Sequence, residues 1–381
     1  MKNNCKLLVT AVFLLFVISC TKNNTTSTTP SSEYAGYDFY IAGEGCGLNE
    51  FTKNFQKISG YDKAFRFNLV GNNIYTFGEK KYRSENSSLI TYISGSNYSG
   101  FISKNNTEIF SNIGGKSSSV NAVQEVGGNI FFVTSPYGEG ATSTDVIRQH
   151  FPAAKVFKNG SVIDSLKGPF RNRDYYNKNN YYALVEARDI VIKASDVYVS
   201  GMCQNYKSSD TTSYGYWKNG IYKELKRGYK HPVVYSYTKF LISDIGDVYY
   251  GFQSSSGVTL FKNGTDLING KLKNTYFYDF AFLNNDIYLL GDYYQNGDKL
   301  GIYKNGILDY STSIYPSSYD NYKIQVLDGK IFICGAKIGT NTEMTVFEYK
   351  PISKTLVKVG NTGLDYQGCS VSVLDFQVKL K

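Results

Sequence analysis

Seven short apolar runs recur along the chain: "FYIAG" from Phe39, "IYTFG" from Ile74, "IFFVT" from Ile130, "VYVSG" from Val197, "VYYGF" from Val248, "IYLLG" from Ile287 and "IFICG" from Ile331. Their apolar residues fall at consecutive positions, whereas the strand of a half-exposed sheet alternates. Such runs predict strands buried on both faces. Downstream of each lies a Lys-Asn pair, at 53–54, 104–105, 158–159, 218–219, 262–263 and 304–305, with Lys350-Pro351 in the seventh place. Successive pairs are 51, 54, 60, 44, 42 and 46 residues apart. One strand and one turn, repeated at that interval, has the period of a β-propeller blade.

Turn chemistry supplies the rest of the blade. Gly follows the Lys-Asn pair in four units, and Asn-Gly between apolar strands favours a type I′ hairpin with positive φ at both central residues. That hairpin joins strands three and four. A second tight turn precedes most of the apolar runs, as in "GNN" (71–73), "GGN" (127–129), "GD" (246–247), "NND" (284–286) and "DG" (328–329), and joins strands one and two. The first unit starts abruptly at "YDFYIAGE" (37–44), with no partner strand before it. The chain ends in "CSVSVLDFQVKLK" (369–381), which reads as the missing strand through the likeness of "SVSVLD" to "YKIQVLD".

The fold class read from these patterns is all-β. It is a single seven-bladed β-propeller over 35–381, with four-stranded antiparallel blades and a closing blade shared by the N- and C-terminal strands. Six or eight blades are the alternatives. Composition agrees, since 35 Tyr, 24 Phe and 36 Gly against 7 Pro suit strands and tight turns. The formal charge of +9 is scattered, with one mild cluster at 171–178. It reads as a solvated surface and not as a nucleic-acid footprint.

At the N-terminus, Lys2 and Lys6 bracket a basic start, and 7–17 form a largely apolar run too short to cross a bilayer as a helix. The run ends in Val17-Ile18-Ser19-Cys20. This resembles a bacterial lipobox, which implies a signal peptide over 1–19 and lipidation of Cys20. Residues 20–34 are then a flexible polar tether, because they offer little to bury. The chain as a whole resembles the propeller-repeat lipoproteins of bacteria over nearly all of its mature length. It has no WD pair, Kelch double glycine or sialidase-type Asp box. The expectation is an exported monomer, lipid-anchored at the outer membrane, in either the cell-surface or the periplasmic leaflet.

Four cysteines remain after processing. Cys46 and Cys369 fall near each other across the closing blade, where Cys369 counts opposite about Gly43, and form a candidate disulfide. Cys334 lies inside an apolar run and reads as a buried thiol. No C-x-x-C spacing appears and there are only two His, so neither a metal nor a cofactor is expected. No nucleophile motif or phosphate loop is present, and turn residues such as Asp247 and Asp286 account for themselves as turn chemistry.

In an up-and-down blade the 1–2 and 3–4 turns share one face, and the 2–3 loops and blade-to-blade links share the other. The long 2–3 insertions fall in units two to four and carry Arg83, Tyr137, Arg148, Tyr206 and Asp210, and unit six adds Tyr293 and Tyr294. Tyr among short polar residues makes an adaptable recognition surface, for sugars among other ligands. These seven residues are the candidate ligand-binding set. The reading is a non-enzymatic recognition protein for a glycan or an envelope protein. The alternatives are a polysaccharide hydrolase or lyase, and a periplasmic assembly scaffold.

Overall fold

A computed structural model describes residues 23–24, 30–45, 48–61, 66–81, 98–113, 118–136, 153–169, 183–205, 211–229, 238–254, 257–269, 271–272, 275–293, 299–312, 322–337, 343–365 and 371–381. The chain forms seven four-stranded antiparallel sheets, each ordered 1-2-3-4 from the axis outwards. The closing blade, blade 1, takes Val371–Leu380 as its inner strand, followed by Tyr37–Gly45, Leu48–Lys53 and Gln56–Lys57. The inner strands of blades 2 to 7 are Arg66–Val70, Ser118–Val126, Ala183–Lys193, Thr238–Ile242, Phe277–Leu283 and Lys323–Leu327. Each packs beside the next, and Lys323–Leu327 and Arg66–Val70 flank Val371–Leu380, so the ring is closed. A single Asn23–Asn24 pairing to Leu364–Asp365 lies outside the blades.

The second strands are buried on both faces, as their unbroken apolar runs require. Ile331, Phe332, Ile333 and Cys334 are all within 1 % of full burial. One face of each sheet meets the preceding blade and the other meets the following one. The buried clusters accordingly straddle blade pairs: Trp217 of blade 4 packs with Val133 and Val156 of blade 3, and its indole N–H donates to the Lys167 carbonyl at 2.7 Å. The glycine ending the run has a steric reason. A Cβ at Gly335 would sit 2.1 Å from the Tyr322 ring, and one at Gly201 would sit 2.0 Å from the Glu186 carbonyl oxygen.

The Lys-Asn turns form a repeated clasp. In the Asn-Gly copies both central residues have positive φ, for example 49° and 76° at Asn219 and Gly220, which is the type I′ geometry. The turn Asn spans two hairpins. Asn219 Oδ1 accepts from the Val197 N–H, and its Nδ2 donates to Asp196, each at 2.8 Å. Asn54, Asn105, Asn159, Asn263 and Asn305 repeat both bonds. The preceding Lys lies 5.2–5.9 Å over an aromatic ring of strand two, Tyr198 in the case of Lys218. It also pairs with the strand-opening acid where there is one, as Lys218 does with Asp196 at 2.7 Å. The 1–2 and 3–4 turns therefore share a face and hold each other. In blade 7, Pro351 replaces Asn and the turn lengthens to Pro351–Lys354, because Pro cannot take positive φ.

Two register expectations need correction. Gly43 pairs with Val373, not with a residue near Cys369, and the ladder runs on to Gly45 and Val371. The likeness of "SVSVLD" to "YKIQVLD" is likewise displaced, since the residue in Lys323's place is Asp375. The strand also carries one added residue at Leu374, where the pairing steps from Ala42–Asp375 to Gly43–Val373, which is too little to account for a displacement of several residues. Cys46 and Cys369 themselves lie outside the described residues, as does Cys20. Cys203 and Cys334 are buried free thiols, and burial raises the Cys203 pKa to about 12. Ser32–Tyr34 forms one helical turn that buries Tyr34, whose hydroxyl donates to Glu348 at 2.6 Å.

Candidate functional site

Most of the expected ligand-binding set cannot be placed. Arg83, Tyr137, Arg148, Tyr206, Asp210 and Tyr294 lie outside the described residues. Tyr293 belongs to the second strand of blade 6, Asp286–Tyr293, and pairs with Lys299, so the strand runs two residues into what reads as loop. The described residues instead put chemistry at the axis.

Each inner strand carries one residue at the same level, five residues upstream of the 1–2 turn in the regular copies. Around the ring these are Asp375, Arg66, Ala122, Asp189, Lys239, Asp279 and Lys323, in blades 1 to 7. Charge alternates around the ring except at the third position, Ala122. Seven is odd, so strict alternation would force two like charges together, and neutral Ala122 sits between Arg66 and Asp189. These side chains, with Asn68, Asn121, Gln325 and Gln377, line a central cavity of about 750 Å³. That volume is within the range of small-molecule sites.

Backbone irregularity positions the acids. The ladder steps by one residue at Asn121, Arg188, Tyr278 and Leu374, immediately before the ring position. A bulge leaves a residue out of the ladder and re-aims its neighbour. All three ring aspartates follow such a bulge, and each accepts the next N–H on Oδ1: Ile190 on Asp189 at 2.8 Å, Phe280 on Asp279 at 2.9 Å, and Phe376 on Asp375 at 2.8 Å.

The second carboxylate oxygens then differ. Asp279 Oδ2 accepts the Ile324 N–H of the next blade at 3.0 Å, and Asp375 Oδ2 accepts the Phe67 N–H at 3.2 Å. These two acids lace adjacent blades together. Asp279 Oδ1 also takes Lys239 Nζ at 2.8 Å. Arg66 donates to the Asn121 carbonyl at 3.0 Å, and Arg188 pairs with Glu186 at 2.5 Å. Two groups have capacity left. Asp189 Oδ2 and Lys323 Nζ have no hydrogen-bond or ion-pair partner among the described residues.

Their protonation reflects the site. Burial raises the Asp189 carboxyl to about 6, opposed by the Ile190 N–H, Lys239 and Arg66. Burial lowers the Lys323 ammonium, opposed by Asp279 and Asp375. Burial raises Asp375 too, opposed first by Lys323. Arg66 and Lys323 are the first residues of their strands and Lys239 the second, whereas Asp189 is the seventh of eleven and Asp375 the fifth of ten. The side of the ring where the chain enters each blade is the one that carries the links and 2–3 loops. Among the described residues no group of three or more His, Cys, Asp or Glu could hold a metal ion.

Sequence reading missed this ring although its signal is present. The segments "RFNLV" (66–70), "DIVIK" (189–193), "KFLIS" (239–243), "DFAFL" (279–283), "KIQVL" (323–327) and "DFQVK" (375–379) share one pattern. A charged residue precedes Phe or Ile, five residues upstream of the turn or chain end. Its charge reads as solvent exposure until the ring turns all copies to one axis.

No protein-family model and no curated protein matches the chain. Solved structures are similar to it at low identity. A Bacteroides fragilis protein bearing the name of a 6-phosphogluconolactonase is 11 % identical, with 92 % of this chain and 99 % of that one covered and a TM-score of 0.48. A polysaccharide lyase of family PL25, an ulvan lyase, is 11 % identical over 93 % of this chain and 95 % of its own, with a TM-score of 0.44. A Trypanosoma rangeli sialidase is 11 % identical over 87 % of this chain and 57 % of its own, with a TM-score of 0.42.

Proposed function

We propose that this chain is a lipid-anchored recognition protein of the bacterial cell envelope, exported through its N-terminal signal and held at the outer membrane by Cys20. It binds a glycan on the propeller face where the central cavity meets the 2–3 loops. The observation that supports this reading is the mixed-charge cavity, in which most charges are already committed to the backbone or to each other. Asp279 and Asp375 have both oxygens engaged, which suits a rigid wall and not a proton-transfer pair. Rigid walls with a few unspent polar groups favour binding over turnover. A glycan array probed with the chain lacking 1–20, with turnover measured on every hit, tests it. Binding without cleavage is the expected result, and an array without hits overturns it.

The second reading is a polysaccharide hydrolase or lyase. It is favoured by one group, the Asp189 carboxyl, whose raised pKa and uncommitted oxygen suit a general acid or base. Cleavage of an array hit, abolished by Asp189→Asn, would establish that reading in place of the first.

A further inference from the structure

The two uncommitted groups of the cavity stand on opposite walls. Asp189 belongs to blade 4 and Lys323 to blade 7, three of seven steps around the ring. The remaining ring charges balance in sign: Arg66 and Lys239 stand against Asp279 and Asp375, and Arg188 is matched by Glu186. Asp189 and Lys323 are thus the anionic and the cationic ring groups left without a direct hydrogen bond or ion pair from a described residue, Lys323 standing between Asp279 and Asp375 and Asp189 beside Lys239. A ligand with a single charge would match one of the two and leave the other desolvated without a partner, which is costly in a confined site.

Resting on the reading of the chain as a glycan-recognition protein, we infer that the cavity takes a zwitterionic saccharide, an amino sugar that also carries an acidic group. Lys323 receives the acid and Asp189 receives the protonated amine. Lysine's ammonium carries three donors, and none of them is engaged here by a described residue. The amine end is lost under acid. Asp189 faces Lys239 from blade 5, Arg66 from blade 2 and Asp375 from blade 1, with Arg188 adjacent on its own strand and Asn121 on the neighbouring strand of blade 3. On protonation it no longer offers an anion, so affinity for the amine falls as the pH drops through about 6.

The test uses muramic acid, which carries both charges, against N-acetylmuramic and glucuronic acids, which keep only the acid, and glucosamine, which keeps only the amine. Titration calorimetry on the chain lacking 1–20 is expected to give at least tenfold tighter binding of muramic acid than of the other three at pH 7.5. Lys323→Gln and Lys323→Met remove the preference over glucosamine, and Asp189→Asn removes the preference over N-acetylmuramic acid. Thermal melts establish that each variant is folded. Equal binding of all four sugars, no binding of muramic acid, or preferences unmoved by the substitutions overturns the inference. An array hit whose affinity is unchanged by Lys323→Gln and Asp189→Asn overturns this cavity assignment while leaving glycan recognition standing.

Discussion

Asp189→Asn should make the protein more stable at neutral pH. Folding raises the Asp189 carboxyl from its ordinary 3.8 to about 6, chiefly because burial disfavours the charged form. A folded-state pKa above the unfolded one means that the folded chain holds the proton more tightly. The resulting stability is complete below about pH 4 and is lost as the pH rises through about 6. Ionising such a group costs the folded state about 3 kcal/mol at full burial. Asp189 is only half-buried and faces an open cavity, so hydration reduces the cost to about 1–2 kcal/mol. Asparagine keeps an oxygen for the Ile190 N–H and carries no charge, which frees the variant from that cost at every pH.

Urea denaturation of both proteins at pH 4 and pH 7.5 measures the difference. The variant should gain about 1–2 kcal/mol at pH 7.5 and nothing at pH 4. Asp375, raised in the same direction, titrates in both proteins, and the repulsion it exerts on Asp189 is part of the cost that the variant removes. An absent gain at pH 7.5, or an equal gain at both pH values, would refute the reasoning. A charge retained at such a cost is a common mark of a working site.

Two structural predictions follow from the repeat. Asn305→Gly should cost about 1–2 kcal/mol by removing the side-chain clasp to Ile287 and Asp286. Asn305→Ala should cost about 1 kcal/mol more, because φ of 51° strains a Cβ-bearing residue without a local hydrogen bond; equilibrium urea unfolding separates the two. Gly335→Ala should cost roughly 1–3 kcal/mol by driving a methyl into the Tyr322 ring, and a melt should show the loss. Gly228→Ala, where a Cβ meets nothing within 4 Å, is the matched control and should change stability little.

The sequence by itself determined the architecture. Unbroken apolar runs, Asn-Gly turns and an unpaired first unit are local features, and each admits few backbone solutions. Blade number, hairpin type, the shared face of the turns and closure by the C-terminal strand all follow from them. The use of the repeated Lys was not legible, because its aromatic partner lies one hairpin away. Register in the closing strand also failed, because the shared "VLD" ends the strand in blade 7 and lies mid-strand in the closing blade, so residue likeness pointed to the wrong alignment.

Only the tertiary structure decided where charge converges. Arg66, Asp189, Lys239, Asp279, Lys323 and Asp375 are separated by tens of residues in sequence, and each alone looks like the polar position of a strand. Ring closure brings their strands to a common axis, and burial then sets which charges pair and which remain unspent. Two carboxylates were taken by the N–H groups of neighbouring blades, Lys239 was taken by Asp279, and Asp189 and Lys323 were left facing one cavity. Hydrogen-bond supply from a neighbouring blade depends on distances between segments, and sequence order does not encode those distances.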